Sequence, residues 1–419
     1  MSDVPRHQLT PIELAIERAM RQDRINRRAF LGRAGRGGIA LGAMLSLPAL
    51  IAACTPSGEG GVTIEWANWP AYIDIDEESD PNPTPYPTIN AFIEQTGINV
   101  NYQETIQDNA DFMQTLLPDL TNGNATGWDL ITPGGWVVQR LGDLGFLEEI
   151  DHSQLPNWSA NAADYAVGQW FDPDNTYSMW WQGGITGIGY DPNLTGREIT
   201  TFDDLLDEEF AGRVGGFSDM RDMFGLTLLS LGITPENATI DDVTAAQQKL
   251  LEANERGQFR GYYDNSYYDA LAAGDLVACV AWSGDVTQMA LFDNADVQFV
   301  IPQDGGMRWN DNMAIPKGST EKLAQTMQLM DYWYSLDAAT TLSEYIGYFT
   351  GVAGVQERIE DDAAAARESG DEETATQLEV TAASVVPTAD QIDNTYVDKQ
   401  LDEEEEAEWN ALFLEVLGG

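Results

Sequence analysis

Histidine, cysteine and lysine are scarce in this sequence of 419 residues. Its two histidines are His7 and His152, so a histidine metal cluster is excluded, and a nucleophilic serine or cysteine could use only His152 as its base. Basic residues number 21 against 69 acidic ones, and the net charge is -48. This balance argues against a nucleic-acid partner, because phosphates need a basic surface.

Sequence motifs of common enzyme classes are also missing. The chain contains no phosphate-binding loop of the form G-x-x-x-x-G-K-[ST], and neither G-x-S-x-G nor H-E-x-x-H. The glycines within residues 183–189 have the wrong spacing for a dinucleotide loop, and we interpret them as part of a hinge. The sequence therefore predicts no cofactor, no metal and no catalytic residue.

The first 53 residues have the features of an export signal. Arg27 and Arg28 lie in a segment that resembles the twin-arginine export motif, and residues 37–53 form an uncharged stretch suited to a signal peptide. This stretch ends at Cys54 in a sequence that resembles a lipobox, so we expect a lipid on Cys54 and a flexible tether over residues 54–61. The protein is then expected outside the cell, anchored to the membrane.

Short strand-like runs alternate with helical stretches after this tether, which predicts an α/β fold of two packed domains. Strands are predicted at residues 63–66, 98–102, 128–132, 185–190, 214–217, 277–281 and 297–301. Four loops that follow strands hold aromatic, glycine or carboxylate residues, and they begin at Asn68, Pro133, Ser218 and Trp282. Ligands bind where such loops meet, beyond the carboxyl ends of strands, so we expect a binding site there.

Aromatic residues and carboxylates occur together in and after these loops. An alkyl chain with ammonium groups needs aromatic walls for its methylenes and carboxylates for its charges. The candidate wall residues are Trp69, Tyr72, Trp136, Trp282, Trp309 and Tyr348. The candidate anions are Asp219, Asp222, Asp285 and Asp311. Core packing is the alternative for each tryptophan, and the spacing of Asp219 and Asp222 is also typical of a helix cap.

Six short motifs follow one another along the chain. They are N-W-x-x-Y at residues 68–72, D-L-[VI]-x-P at 129–133, D-x-R-[ED] at 219–222, W-x-G-D at 282–285, an aromatic-x-D and A-[IM]-P pair within 309–316, and I-G-Y at 346–348. Through these motifs the chain resembles the polyamine-binding (spermidine- and putrescine-binding) proteins of bacterial ABC importers. The resemblance covers nearly the whole exported part, from about residue 63 to residue 348.

This resemblance implies a two-lobed, type II periplasmic-binding-protein-like fold whose lobes are joined by crossing strands and close around the ligand. The crossings are expected near residues 181–184 and 303–309, with a third after Tyr348. The expected lobes comprise residues 62–182 plus 309–350 and residues 183–308 plus 351–419. The protein is expected to be a monomer that delivers its ligand to an ABC permease.

The resemblance also implies roles for individual residues. The six aromatic residues would line the cleft, and Asp222, Asp285 and Asp311 would meet the ammonium groups, with Asp219 a lesser candidate. Arg221 would pair with a carboxylate rather than with the ligand. Ala71 and Gly134 depart from the spermidine-type pattern, which has an acid and a serine at these positions, and this favours a diamine such as putrescine.

Other functions remain open from the sequence alone. The same scaffold could bind another amine, an amino acid or a sugar, although a sugar site would need more hydrogen-bonding side chains. A secreted glycosidase with a pair of carboxylates is a second alternative, because acidic residues are plentiful. A purely structural surface protein is the third.

Overall fold

The computed structural model describes residues 61–76, 84–293 and 296–418. The predicted export signal, Cys54 and almost all of the predicted tether lie outside the described residues. Eleven strands form one mixed sheet in the described part. They are β1 (Thr63–Asn68), β2 (Asn99–Glu104), β3 (Leu130–Ile131), β4 (Ser178–Tyr190), β5 (Val214–Phe217), β6 (Phe259–Tyr263), β7 (Ala278–Trp282), β8 (Gln298–Val300), β9 (Gly306–Ala314), β10 (Phe349–Thr350) and β11 (Thr395–Tyr396).

Fifteen α-helices flank this sheet in the described residues, together with short 3-10 turns. They are α1 (Pro87–Thr96), α2 (Asn109–Thr121), α3 (Gly135–Asp143), α4 (Pro156–Asn161), α5 (Pro192–Thr195), α6 (Met220–Ser230), α7 (Ile240–Glu255), α8 (Tyr267–Ala272), α9 (Ser283–Phe292), α10 (Leu323–Tyr332), α11 (Leu336–Ile346), α12 (Val355–Glu368), α13 (Glu372–Ser384), α14 (Ala389–Asp393) and α15 (Glu403–Leu417). The local sequence explains several boundaries. For example, α1 begins with Pro87, and Gly97, which follows its last residue, caps the helix with a positive φ of 72°.

Strand direction divides the sheet into two halves. β1 pairs in parallel with β2 and β3, and β5 pairs in parallel with β6 and β7. Between these groups, β4 runs antiparallel to both β9 and β7. The strands of the two groups therefore point in opposite directions, and their carboxyl ends face each other near the middle of β4.

Each half has its own hydrophobic core. The first core surrounds β1 and β3 and contains Trp66, Phe92 and Trp333. The second core surrounds β5 and β7 and contains Phe217 and Phe224. β4 and β9 connect the two, because all 13 residues of β4 are buried and it pairs with β9 from Ser178 opposite Ala314 to Thr186 opposite Met307.

Close contact between β4 and β9 depends on glycine. A Cβ atom on Gly183 would lie 2.3 Å from the Trp180 ring and 2.8 Å from the carbonyl oxygen of Trp309. A Cβ atom on Gly184 would lie 2.8 Å from the Trp309 ring. The glycine-rich run therefore lies within the strand that connects the two halves and does not form a nucleotide loop.

The chain after residue 350 does not follow the lobe division expected from the sequence. Val355 and Ile359 of α12 and Leu378 of α13 pack in the first core, whereas Trp409 and Phe413 of α15 pack in the second. The expectation that all of residues 351–419 join the second lobe therefore needs correction for α12 and α13. We propose that the first lobe comprises residues 62–182 and 309–385, and the second residues 183–308 and 395–417.

Candidate functional site

A cavity of about 170 Å³ lies between the two cores, where the carboxyl ends of the strands face each other. The ten residues singled out in the sequence all line it: Trp69, Tyr72, Trp136, Asp219, Asp222, Trp282, Asp285, Trp309, Asp311 and Tyr348. They come from the ends of β1, β3, β5 and β7, from β9, and from the turn after α11. We call this space the cleft.

Aromatic rings form a continuous part of the cleft wall. The ring centroids of Trp282 and Trp309 are 6.2 Å apart, and those of Trp309 and Tyr348 are 5.7 Å apart. Tyr72 meets Tyr348 edge to face at 5.4 Å. The ring centroids of Trp282 and Phe217 of the second core are 4.7 Å apart, so the Trp282 ring contacts this core as well as lining the cleft.

Asp285 is held by two tyrosines on the cleft wall. The hydroxyl of Tyr267 donates a hydrogen bond of 2.7 Å to one carboxylate oxygen, and the hydroxyl of Tyr348 donates to the other. Burial raises the pKa of Asp285, although both hydrogen bonds oppose this rise. The two donors fix the orientation of the carboxylate without neutralising its charge.

Asp311 lies on β9 beside Gly134 of the facing loop. The residue is 8% exposed, and burial raises its pKa to about 7, with the neighbouring Tyr72 hydroxyl offsetting part of the rise. A cation that enters the cleft would lower this pKa, because a nearby positive charge favours the ionised form of the carboxyl group.

Asp219 and Asp222 form a second acidic group with a residue that sequence analysis missed, Asp398. The side chain of Asp219 accepts a hydrogen bond of 2.9 Å from the amide of Asp222, so it caps α6 as the alternative reading of their spacing predicted. Asp222 accepts a hydrogen bond of 3.2 Å from Nε1 of Trp282. Burial, followed by the charges of Asp219 and Asp398, holds the pKa of Asp222 well above its usual range.

Arg221 has the structural role expected of it. Its guanidinium lies 4.3 Å above the Trp136 ring and pairs with Glu406 of α15 at 3.3 Å between Nη2 and Oε1. Its Nη1 also donates to the carbonyl oxygen of Lys399 at 3.3 Å. Arg221 lines the cleft, but its ion pair among the described residues is with Glu406 and not with a cleft aspartate.

Comparison with protein families identifies the fold and its general role. Residues 88–369 match the model of the bacterial extracellular solute-binding protein family. The chain belongs to this family. The α/β fold with two lobes and the prediction of a binding protein rather than an enzyme are thereby confirmed.

Several known proteins resemble this solute-binding protein. It is 28% identical over 265 residues to the spermidine/putrescine-binding periplasmic protein 1 of Haemophilus influenzae, a match that covers 62% of this chain and 71% of the relative. It is 27% identical over 303 residues to the putrescine-binding periplasmic protein PotF of Escherichia coli, covering 68% and 77% respectively.

Solved structures show the same fold. A candidate spermidine/putrescine ABC transporter protein from Listeria monocytogenes superposes with a TM-score of 0.69 at 27% identity, covering 84% of this chain and 98% of the other. The Tp0655 (TpPotD) lipoprotein of Treponema pallidum gives a TM-score of 0.67 at 19% identity, covering 85% of this chain and 100% of the other.

The solute-binding protein has further cleft residues that sequence analysis did not identify, including Asn109, Trp170, Phe171, Tyr263 and Asp398. Asp398 carried no usable signal, because it follows the two-residue strand β11, which was not among the predicted strands. Asn109 carried none, since it opens helix α2 and reaches the cleft by accepting a hydrogen bond of 2.8 Å from the amide of Gly134.

Alternative chemistry finds little support in the solute-binding protein. His152 does not line the cleft; its Nε2 lies 2.7 Å from the carbonyl oxygen of Asn175 and its ring packs on Trp158. Within the described part of the chain, no group of three or more His, Cys, Asp or Glu side chains could hold a metal ion.

The described part of the chain also contains no helix that is long and apolar enough to cross a membrane.

Proposed function

We propose that this solute-binding protein captures a polyamine, putrescine or spermidine, in its cleft and delivers it to an ABC permease. The ten aromatic and acidic residues named from the sequence are the proposed ligand contacts. We further propose that the leader is removed and that lipid on Cys54 anchors the monomeric protein at the outer face of the membrane.

The observation that carries this proposal is a set of buried carboxyl groups in the cleft that have no cationic partner in the described part of the chain. Among the described residues, no ion pair involves Asp222, Asp285 or Asp311, although burial raises the pKa of all three. An enclosed carboxylate without a cationic partner is costly, and a ligand ammonium group supplies the missing charge. A neutral sugar supplies no such charge.

The positions of the carboxylates favour a ligand with more than one positive charge. Asp222 bonds to the indole nitrogen of Trp282, whereas Tyr267 links the backbone amide of Trp282 to Asp285. The two acids therefore lie at opposite ends of one tryptophan residue. An alkyl chain along the ring, with an ammonium group near each acid, would satisfy both charges while the indole contacts the methylenes.

Related proteins support a polyamine as the ligand class. The names of the Haemophilus and Escherichia relatives specify spermidine or putrescine, and a further relative, from Pseudomonas aeruginosa, is named as a putrescine/agmatine-binding protein. The absence of an acid at Ala71 lowers the number of possible charge contacts and favours a diamine over a triamine.

A thermal-shift screen tests the proposal. Ligand that binds only the folded state raises the melting temperature, so putrescine or spermidine should do so, while glucose and glutamate should not. A sugar or amino acid that stabilises the protein while polyamines do not would assign the cleft to another solute. Turnover of a chromogenic glycoside would instead support the glycosidase alternative.

A further inference from the structure

One carboxylate in the C-terminal helix contacts two arginines. Oε2 of Glu406 lies 2.7 Å from Nη2 of Arg140, and its Oε1 lies 3.3 Å from Nη2 of Arg221. Nη2 of Arg140 also donates to the carbonyl oxygen of Leu401 at 3.1 Å, just before α15 begins. We call Arg140, Glu406 and Arg221 the interlobe bridge.

The members of this bridge belong to different lobes. Arg140 lies on α3, whose Val137 and Leu141 pack against the strands of the first lobe. Glu406 lies on α15, which packs in the second core through Trp409 and Phe413. Arg221 lies on α6, which packs in the same second core. The Arg140–Glu406 contact therefore crosses between the lobes, whereas the Arg221–Glu406 contact stays within one.

The bridge is next to the cleft. Trp136 and Arg221 line both the cleft and a neighbouring groove between α3 and α15, and Arg140 lines that groove. The side chains of Arg140, Glu406 and Arg221 are 23%, 13% and 9% exposed, so water screens them less than an open surface pair. In a chain with 21 basic and 69 acidic residues, two arginines on one carboxylate make an unusual concentration of positive charge.

We propose that Glu406 is a positioning residue that fastens the two lobes together around the bound ligand. Separation of the lobes would break the Arg140–Glu406 contact and leave the Arg221–Glu406 contact intact. The first contact therefore exists only in the closed form and shifts the equilibrium towards it. Glu406 also holds Arg221 in an ion pair outside the acidic group, so that no direct ion pair forms between Arg221 and Asp222 among the described residues.

The consequence for binding is a slower release of ligand. An interaction that forms after the lobes close slows dissociation directly. It acts on association only through the fraction of ligand-free protein that is already closed. The effect on ligand release rests on the proposed function, because it needs a ligand in the cleft. The effect on closure of the lobes does not need a ligand.

Arg140→Gln tests the proposal without altering a cleft residue. Small-angle X-ray scattering of the ligand-free protein should show a larger radius of gyration than wild type, because the open form is more populated. Stopped-flow measurements with putrescine should show a dissociation rate about two- to tenfold faster and an association rate no lower than that of wild type. Arg140→Lys, which keeps the positive charge, should have a radius of gyration and a dissociation rate close to those of wild type.

Lys249→Gln is the matched control. Lys249 pairs with Asp203 at 2.5 Å, and both lie in the second lobe, so this variant loses an ion pair without loosening the lobes. The proposal would be overturned if Arg140→Gln had the same radius of gyration and dissociation rate as wild type. It would also be overturned if Lys249→Gln changed both quantities as much as Arg140→Gln does. If putrescine fails to bind any variant, the proposed function fails, and the scattering comparison still decides whether the bridge closes the lobes.

Discussion

Asp285 and Asp311 differ in what surrounds them, although both line the cleft. Asp285 receives hydrogen bonds from Tyr267 and Tyr348, which keep its carboxylate in place. For Asp311, the Tyr72 hydroxyl is the neighbour that lowers its pKa, and burial still raises that pKa to about 7. Asp285 is thus preorganised for a cation, whereas Asp311 responds to one by changing its protonation.

Removing either charge should weaken ligand binding strongly. We expect Asp285→Asn and Asp311→Asn each to reduce the free energy of polyamine binding by about 2–5 kcal/mol, because an ammonium group would lose its partner in an enclosed site. Isothermal titration calorimetry measures this loss. Asp361→Asn, an exposed change on α12, should bind like wild type. Unchanged affinity in both cleft variants would mean that the ligand binds elsewhere.

Binding should also depend on pH. The ligand-free protein holds a proton on Asp311 in part of the molecules at neutral pH, since its pKa is about 7, and a bound ammonium group favours the ionised form. Polyamine binding should therefore release protons and become tighter as pH rises from about 6 to 8. Calorimetry in buffers with different heats of ionisation measures the released protons. Asp311→Asn should release fewer, and equal release in both proteins would contradict this assignment.

The raised pKa of Asp311 also makes the stability of the folded protein depend on pH. A carboxyl whose pKa is higher in the folded than in the unfolded protein stabilises the fold at low pH, and this contribution is lost as pH rises through the folded value. For Asp311 the loss falls between about pH 4 and pH 7. Ligand binding counteracts it by supplying a positive charge.

Residue types and positions after predicted strands indicated seven of the ten residues that line the cleft. Trp309, Asp311 and Tyr348 do not follow predicted strands and belong to the aromatic-x-D and I-G-Y motifs. Asp398 and Asn109 were not predicted, because they reach the cleft through contacts between segments far apart in sequence. Asp398 lies near Arg221 and Asp219, more than 170 residues earlier in the chain. A single sequence gives no measure of such proximity.

At the level of elements, the crossing strand β4 depends on having no side chain at Gly183. We expect Gly183→Ala to destabilise the protein by about 1–3 kcal/mol, because the new Cβ atom would overlap the Trp180 ring and the Trp309 backbone. Chemical denaturation measures the change. Gly261→Ala is the control, since its Cβ atom would lie 3.6 Å from Tyr263, an ordinary contact. Equal stability of the two variants would contradict close packing of β4 on β9.

Most elements were predictable, because their local patterns agree with the fold. The seven predicted strands all correspond to observed ones. The acidic, alanine-rich residues 362–378 are divided between two helices, α12 and α13, with Gly370 at a positive φ of 86° between them. β9 was not predicted as a strand, because its sequence mixes Asn, Asp, Arg and Met without alternation.

For the whole molecule, the sequence predicted two lobes but misassigned α12 and α13. The two helices pack in the first core through Val355, Ile359 and Leu378, and just after α13 the carbonyl oxygen of Val385 accepts a hydrogen bond of 2.9 Å from the amide of Thr350 in β10. Nothing in the composition of an acidic helix specifies which of two cores its apolar side will join. The two lobes, connected by β4 and β9, together form the walls of the cleft.

The central claim is that the acidic, aromatic cleft between the lobes binds an elongated organic cation. Isothermal titration calorimetry of the purified protein with putrescine and with spermidine, at a salt concentration that suits its net charge of -48, tests this most directly. We predict one site with micromolar or tighter affinity for at least one of the two. No heat of binding with either polyamine would contradict the account.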